Sequence, residues 1–147
     1  MSEHDQHWLF DSSTRTLKMF VLGGGLSYRC ECRDKATGGP EFGHNGRCPR
    51  GEFVLGDPIA KDEPAFGPFF IPIEDAPGHS AMADHGRAGI GLHGGGSGLD
   101  HPEAPFQGWV PTHGCLRVQN GALLHIVALV NACHAAGGIA RLTVTGP

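Results

Sequence analysis

Short alternations of apolar and polar residues recur along most of the chain and predict a protein built mainly of strands. Near the start, residues 8–10 and 17–22 are apolar runs on either side of the turn-forming residues 11–14, which predicts a hairpin. At the other end, residues 139–144 alternate strictly between apolar and polar side chains. That alternation predicts a half-buried closing strand.

Three further strands are predicted in the middle of the chain. Residues 49–56 contain a turn that leads into a strand, and residues 69–73 form an apolar run that Pro72 should restrict to a sheet edge. Residues 89–93 would deliver His93 to the glycine-rich loop 94–98, whose glycines give the backbone freedom to turn. Residues 29–50 carry turn signals and three cysteines without a sustained period, which predicts a long loop.

One main helix is predicted after residue 120. Asn120 can cap its start, and Gly137 with Gly138 should end it. The apolar residues between them recur at helical spacings of three and four: Leu123, Leu124, Val127, Ala128 and Val130. The 24 glycines and 11 prolines favour short strands and turns over a bundle of helices.

Length and charge narrow the class of protein. The 147 residues fit a single domain, 1–147, that is large enough to bury a core. The net charge of -4 comes without a long run of one sign, so no basic patch for nucleic acid is predicted. No apolar run approaches the roughly 20 residues of a membrane-spanning helix. Residues 1–7 are polar rather than signal-like, so export is expected by a signal-independent route, or the signal lies outside this chain.

The motif that carries the most chemistry is Thr-His-Gly-Cys-Leu-Arg at residues 112–117, which places the thiol of Cys115 in a glycine turn beside His113. A nearby imidazole favours the nucleophilic thiolate, and backbone N–H groups after such a turn can hold an oxyanion. A second imidazole, that of His93, lies at a predicted strand end and could act as the base. Spacing alone does not separate this arrangement from a chance pairing.

Three motifs together give the chain a resemblance to the L,D-transpeptidase catalytic domain family, also called YkuD-like. They are His93-Gly94 after a strand, the run at residues 112–117, and the upstream run Cys-Pro-Arg-Gly-Glu-Phe at residues 48–53, where the family usually begins with Thr. The resemblance covers roughly residues 8–145. It implies a mainly β fold, a β-sandwich or flattened barrel, with one main helix after the catalytic cysteine.

The resemblance also implies roles for individual residues. Cys115 would be the nucleophile, His93 its general base and the Gly94 carbonyl the group that orients His93. His113 would complete the catalytic set, either as a residue that supports these groups from behind or as one that faces the substrate. Gly114 and Cys115 would donate backbone N–H groups to the oxyanion. Thr112 would keep the hydroxyl of the commoner Ser, and Arg117 would bind a carboxylate or brace the loop.

The implied reaction needs no cofactor and no metal. Cys115 would attack the bond between the diamino acid and the D-amino acid of a peptidoglycan stem tetrapeptide and form a thioester. An amine acceptor would give a crosslink or an exchange of D-amino acids, and water would give L,D-carboxypeptidase trimming. The segment between His93 and Cys115 is longer than usual, and its residues 100–105 could form a lid over the cleft.

The segments Gly67-Pro68 and Gly86-Arg87 also resemble a smaller branch of this superfamily, the antibacterial effectors of type VI secretion systems. That resemblance implies action in the periplasm or cell wall of a competitor, with an immunity protein and a secretion apparatus as partners. A third hypothesis is a catalytically silent module that only binds the cell wall. The intact Cys115, His93 and His113 argue against it.

The remaining cysteines admit several roles. Cys30, Cys32 and Cys48, with His44, could form a zinc site, although the ligand spacing is irregular. A disulfide from Cys48 to Cys30 or Cys32 is the alternative in an oxidising compartment. Cys133 lies within the predicted helix and is expected to pack as a small apolar residue. Three loop histidines could touch substrate: His79, His85 and His101.

Overall fold

Nine strands and two helices follow one another in residues 2–147, the part of the chain described by this computed structural model. The strands are β1 (Gln6–Asp11), β2 (Thr16–Val21), β3 (Leu26–Arg33), β4 (Gly51–Leu55), β5 (Ile59–Glu63), β6 (Gly67–Asp75), β7 (Gly91–His93), β8 (Leu116–Val118) and β9 (Ala140–Thr145). The helices are α1 (Ala81–Asp84) and α2 (Asn120–Ala135).

The strands form one sheet that closes on itself. Their order is β4-β9-β1-β2-β3-β8-β7-β6-β5, and β4 also pairs with β6, which completes a ring. Most pairs are antiparallel, whereas β1 with β9 and β7 with β8 run parallel. The predicted mainly β class, a flattened barrel with one main helix, is confirmed.

The helix α2 packs mainly on β6 and supplies part of the core. Of the apolar residues that predicted it, Leu123, Val127 and Val130 are buried. Leu124 and Ala128 are exposed instead, and Ile126 takes a place in the core. Gly137 adopts a φ of 79°, and the N–H groups of Gly137 and Gly138 donate to the carbonyls of His134 and Cys133, the usual glycine termination of a helix. Neither helix in residues 2–147 is long and apolar enough to cross a bilayer.

The start of the predicted long loop at residues 29–50 is instead the end of strand β3, so that prediction was wrong at its N-terminal part. Cys30 and Cys32 lie on the same face as Tyr28, which turns towards the interior, while Arg29 and Glu31 point outwards. All five cysteines are free thiols in this structure, and residues 2–147 contain no cluster of three or more His, Cys, Asp or Glu placed to hold a metal ion. Cys32 and Cys48 are fully buried and pack in the core.

Pro72 does not restrict its strand to an edge, contrary to the prediction, because β6 pairs with β7 on one side and with β4 and β5 on the other. The Pro72 carbonyl accepts a hydrogen bond from Gly56 N at 2.9 Å, so its imide nitrogen faces the same side. That side is the gap between β4 and β5, where no ladder donor is required. The mostly exposed β5 had no apolar pattern from which to predict it.

Candidate active site

The parallel pair β7 and β8 brings the predicted nucleophile and base to one place. Leu92 lies opposite Leu116, and His93 lies opposite Arg117. Both leucines are buried in the core, so strand alternation turns His93, Arg117 and Cys115 to the other face. There they line a cavity of about 730 Å³.

The His93 ring is held in one orientation. Its Nδ1 lies 2.8 Å from the Gly94 carbonyl oxygen, which can only accept, so Nδ1 carries the proton and Nε2 keeps its lone pair. Phe66 packs edge-on against the ring, and Phe70 stacks on it. Burial lowers the pKa of His93 to about 4, against the opposing effect of the Gly94 bond. At neutral pH the imidazole is neutral and can accept a proton.

Cys115 ends a tight turn that Thr112 closes. The Thr112 hydroxyl donates to the Cys115 carbonyl at 2.9 Å and accepts from the Gly114 N–H at 3.0 Å. Gly114 has a φ of 102°, which favours glycine. The Gly114 N–H is thus already engaged, and its predicted contribution to an oxyanion site stays a prediction.

Cys115 is buried, with 8% of the residue exposed, and its Sγ lies 3.9 Å from the Gly89 carbonyl. Burial raises the pKa of Cys115, while the Gly91 N–H and the charges of Arg87 and Arg117 act to lower it. The Cys115 thiol is therefore protonated at neutral pH. Both Cys115 and His93 line the cavity, and no hydrogen bond joins their side chains in residues 2–147 of this substrate-free structure.

Arg117 braces the loops around the cavity. Its guanidinium is buried and donates to the carbonyls of Val110 at 2.6 Å, Pro111 at 3.1 Å and Ala65 at 3.3 Å, and its Nε lies 3.3 Å from the Gly94 carbonyl. Of its two predicted roles, bracing is the one these contacts serve, and carboxylate binding stays a prediction. The Gly94 carbonyl also accepts from His93, so Arg117 and His93 are held by the same acceptor.

His113 lies at the mouth of the cavity and is exposed. Its Nδ1 is 3.0 Å from the Thr37 hydroxyl. The predicted role of His113 stays a prediction. Of the three loop histidines, none lines this cavity, whereas His44 does.

Asn120 holds the glycine loop that carries His93, a role that the sequence did not indicate. The predicted cap bond is absent; α2 begins at Asn120, and its side chain accepts from the Gly95 N–H at 2.9 Å. The same side chain donates to the carbonyls of Pro102 and Ala104. A side chain at Gly94 would collide with this amide, which explains a glycine there.

Residues 100–105, predicted as a lid, lie elsewhere. None of them lines the cavity that holds Cys115, and Pro102, Glu103 and Pro105 instead border a second cavity of about 450 Å³ beside the start of α2. The hydrogen bonds from Asn120 hold this loop at the helix. The physical reason is that the buried amide of Asn120 needs acceptors, and the loop carbonyls supply them.

Arg87 is the second residue whose place the sequence did not reveal. In the sequence Arg87 contributes only to the Gly86-Arg87 resemblance, yet its side chain is buried beside the turn that carries Cys115. Together with Arg117 and three histidines it lines a cavity to which no carboxylate contributes among the described residues. The sequence signal is limited to the pair Gly86-Arg87 shortly before the His93 strand.

No family model matches this chain, and no curated protein matches its sequence. Solved structures do resemble it. One is the helical cell shape determining protein Pgp2 from Campylobacter jejuni, with a TM-score of 0.68 at 16% identity over 97% of this chain and 48% of that one. Another is an L,D-transpeptidase from Stackebrandtia nassauensis, with a TM-score of 0.56 at 14% identity over 99% of this chain and 57% of that one. The chain has an L,D-transpeptidase fold.

Bdellovibrio bacteriovorus Bd1075 is similar as well, with a TM-score of 0.66 at 16% identity over 95% of this chain and 47% of that one. This chain spans about half the length of these three neighbours. At such low identity the likeness establishes the L,D-transpeptidase fold and not the chemistry, which has to be argued from the site itself.

Proposed function

We propose that this protein is a cysteine acyltransferase that modifies peptidoglycan stem peptides, with Cys115 as the nucleophile and His93 as the general base. The observation that carries the proposal is the shared cavity, to which β7 and β8 bring a thiol and a neutral, oriented imidazole. The L,D-transpeptidase fold supports this substrate class, since proteins that bear that name share it.

The reaction begins from a neutral pair. As the Cys115 sulfur bonds to the carbonyl carbon of the diamino acid, its proton passes to Nε2 of His93. The resulting oxyanion accepts a hydrogen bond from the Cys115 N–H. The tetrahedral intermediate then collapses and breaks the carbon–nitrogen bond, while His93 gives the proton to the departing D-amino acid. An amine or water then attacks the thioester carbonyl and gives its proton to His93. The carbon–sulfur bond breaks, the acyl product leaves, and His93 returns the proton to the Cys115 sulfur.

The charges around the cavity favour an anionic substrate. Arg87 and Arg117 line it without any carboxylate among the described lining residues, although the chain as a whole carries more acidic than basic side chains. A stem peptide ends in a carboxylate and so suits this environment. A free carboxy terminus near the scissile bond fits this positive environment.

The test is to incubate purified tetrapeptide muropeptides with the protein and weigh the products. We expect loss of the terminal residue, its exchange or a crosslink with the wild type, and none of these with a folded Cys115→Ala variant. His93→Ala should lower the rate by roughly 10²–10⁴-fold, as for a lost general base. Cys133→Ala, which removes a buried cysteine in α2, is the matched control and should stay active.

Two outcomes would contradict the proposal. A folded Cys115→Ala protein that retained turnover would exclude the thioester route. A wild-type protein that bound muropeptides without changing their mass would instead be a silent wall-binding module.

The same chemistry would serve an antibacterial effector acting in the periplasm or cell wall of a competitor. We include this use in the proposal because Gly86-Arg87, one of the segments that carries the resemblance, lies at the cavity. An immunity protein and a secretion apparatus would then be its partners.

A further inference from the structure

Arg87 occupies an unusual position between the two segments that frame Cys115. Its Nη1, with two N–H groups, lies within hydrogen-bond distance of the carbonyls of Phe42 at 3.3 Å, Gly43 at 2.7 Å, Gly46 at 3.1 Å and Arg47 at 2.9 Å, which share its hydrogens. Its Nη2 donates to the His113 carbonyl at 2.6 Å. One buried side chain therefore ties the 42–47 segment to the turn at residues 112–115.

The charge of Arg87 is solvated but not neutralised. Carbonyl dipoles surround the guanidinium, and no Asp or Glu of residues 2–147 forms an ion pair with it. Arg50 provides the contrast, since it also donates to several carbonyls but pairs with Asp34 at 2.6 Å. A buried charge without a counterion is costly and keeps its field, so the positive potential of Arg87 extends into the cavity that it lines.

The Arg87 contact also determines the shape of the nucleophile turn. His113, whose carbonyl it binds, is followed directly by Gly114 and Cys115. A Cβ on Gly114 would collide with the Arg87 guanidinium and with the Gly46 carbonyl. The backbone of the turn therefore packs directly against Arg87 and leaves no room for a side chain at Gly114.

We propose that Arg87 is a positioning residue for the nucleophile, which fixes the turn that carries Cys115 and supplies an uncompensated positive charge that favours its thiolate. The proposal rests on the role of Cys115 proposed above. Other charged or titratable groups near this thiol are Arg117, His93 and His113 on the cavity wall and Cys48. In agreement, the Arg87 charge acts to lower the pKa of Cys115 against the larger effect of burial.

The experiment measures the rate at which iodoacetamide alkylates Cys115 as a function of pH, by mass mapping of the labelled peptide. It compares the wild type, Arg87→Met, Arg87→Lys and the matched control Arg50→Met, with thermal melts to confirm folding. Loss of a nearby cation should raise the apparent thiol pKa by about one unit, so Arg87→Met should be alkylated about tenfold more slowly at neutral pH. Arg50→Met should keep the wild-type profile, because Asp34 already neutralises that charge.

Arg87→Lys separates charge from geometry. Lysine keeps the charge but not the planar fork that reaches five carbonyls. The alkylation profile of Arg87→Lys should therefore lie closer to the wild-type profile than that of Arg87→Met. Its kcat on tetrapeptide muropeptides should nevertheless fall about tenfold or more with little change in KM, since the turn is no longer fixed.

A folded Arg87→Met protein with the wild-type alkylation profile would overturn the charge role, and an Arg87→Lys enzyme with wild-type kcat would overturn the positioning role. If Arg87→Met does not fold, Arg87→Lys still decides, since an unchanged kcat refutes the proposal. The alkylation profile needs no substrate. A wild type with the expected profile but no muropeptide product would therefore refute the proposed function and leave the effect of Arg87 on the thiol standing.

Discussion

Acidification from pH 7 to pH 4 should destabilise this protein through one buried side chain, His93. The imidazole is 3% exposed, and burial lowers its pKa to about 4, while an unfolded histidine titrates near 6.5. Between these values the unfolded chain binds a proton that the folded chain does not. The free energy of unfolding therefore rises with pH across that window and falls as the pH drops through it.

The size of the effect follows from the same two values. They differ by about 2.5 units, and each unit corresponds to about 1.4 kcal/mol, so the unfolding free energy should fall by about 3 kcal/mol between pH 7 and pH 4. For a domain whose total stability is about 5–15 kcal/mol this is a large share.

The assay is urea unfolding at several pH values, followed by the fluorescence of the fully buried Trp8. His93→Asn is the informative variant, because its amide can still donate to the Gly94 carbonyl but does not titrate. We expect the wild type to lose about 3 kcal/mol more than His93→Asn over this range. His101→Asn, at an exposed loop position, should behave as the wild type does.

Parallel loss of stability in the wild type and His93→Asn would refute the reasoning. It would mean that the imidazole is not held neutral in the folded state. The proposed base would then be protonated over part of the working range, and the mechanism would need another proton acceptor.

Three further outcomes are expected. Gly114→Ala should lower the free energy of unfolding by on the order of 1–3 kcal/mol more than Gly98→Ala does, as measured by urea unfolding. Both glycines have a positive φ, but only Gly114 packs against Arg87, so equal losses would contradict the clash. Brief alkylation should label Cys115 first and the partly exposed Cys30 next, as mapped by mass, whereas early labelling of the fully buried Cys32 would contradict the described core. Growth and cell shape should be normal with the chain in a bacterial cytoplasm, abnormal when it is exported and normal again for exported Cys115→Ala; harm from the cytoplasmic form would remove peptidoglycan as the target.

Local patterns in the sequence were sufficient for several elements. The first hairpin, helix α2 and strand β9 are predicted by alternation, helical spacing and glycine stops, because these patterns lie within each segment, although β9 finds its partners β1 and β4 far away in the chain. Strand β3 is not predicted although its apolar and polar residues alternate. The alternation depends on Cys30 and Cys32 acting as small apolar residues, and a cysteine can equally be a metal ligand or a disulfide partner. Strand β5 has no such pattern and depends on its pairing with β6.

The sequence by itself determined the β class, the helix after the cysteine and the candidate pair Cys115 and His93, because these are encoded in short motifs and local periodicity. Only the tertiary structure decided that the pair shares a cavity, since that depends on the parallel register of β7 and β8. The same holds for Arg87 and Asn120, whose partners lie between 16 and 45 positions away along the chain. A buried polar side chain finds its hydrogen bonds wherever the folded backbone leaves carbonyls and N–H groups unpaired, and no local pattern specifies where that is.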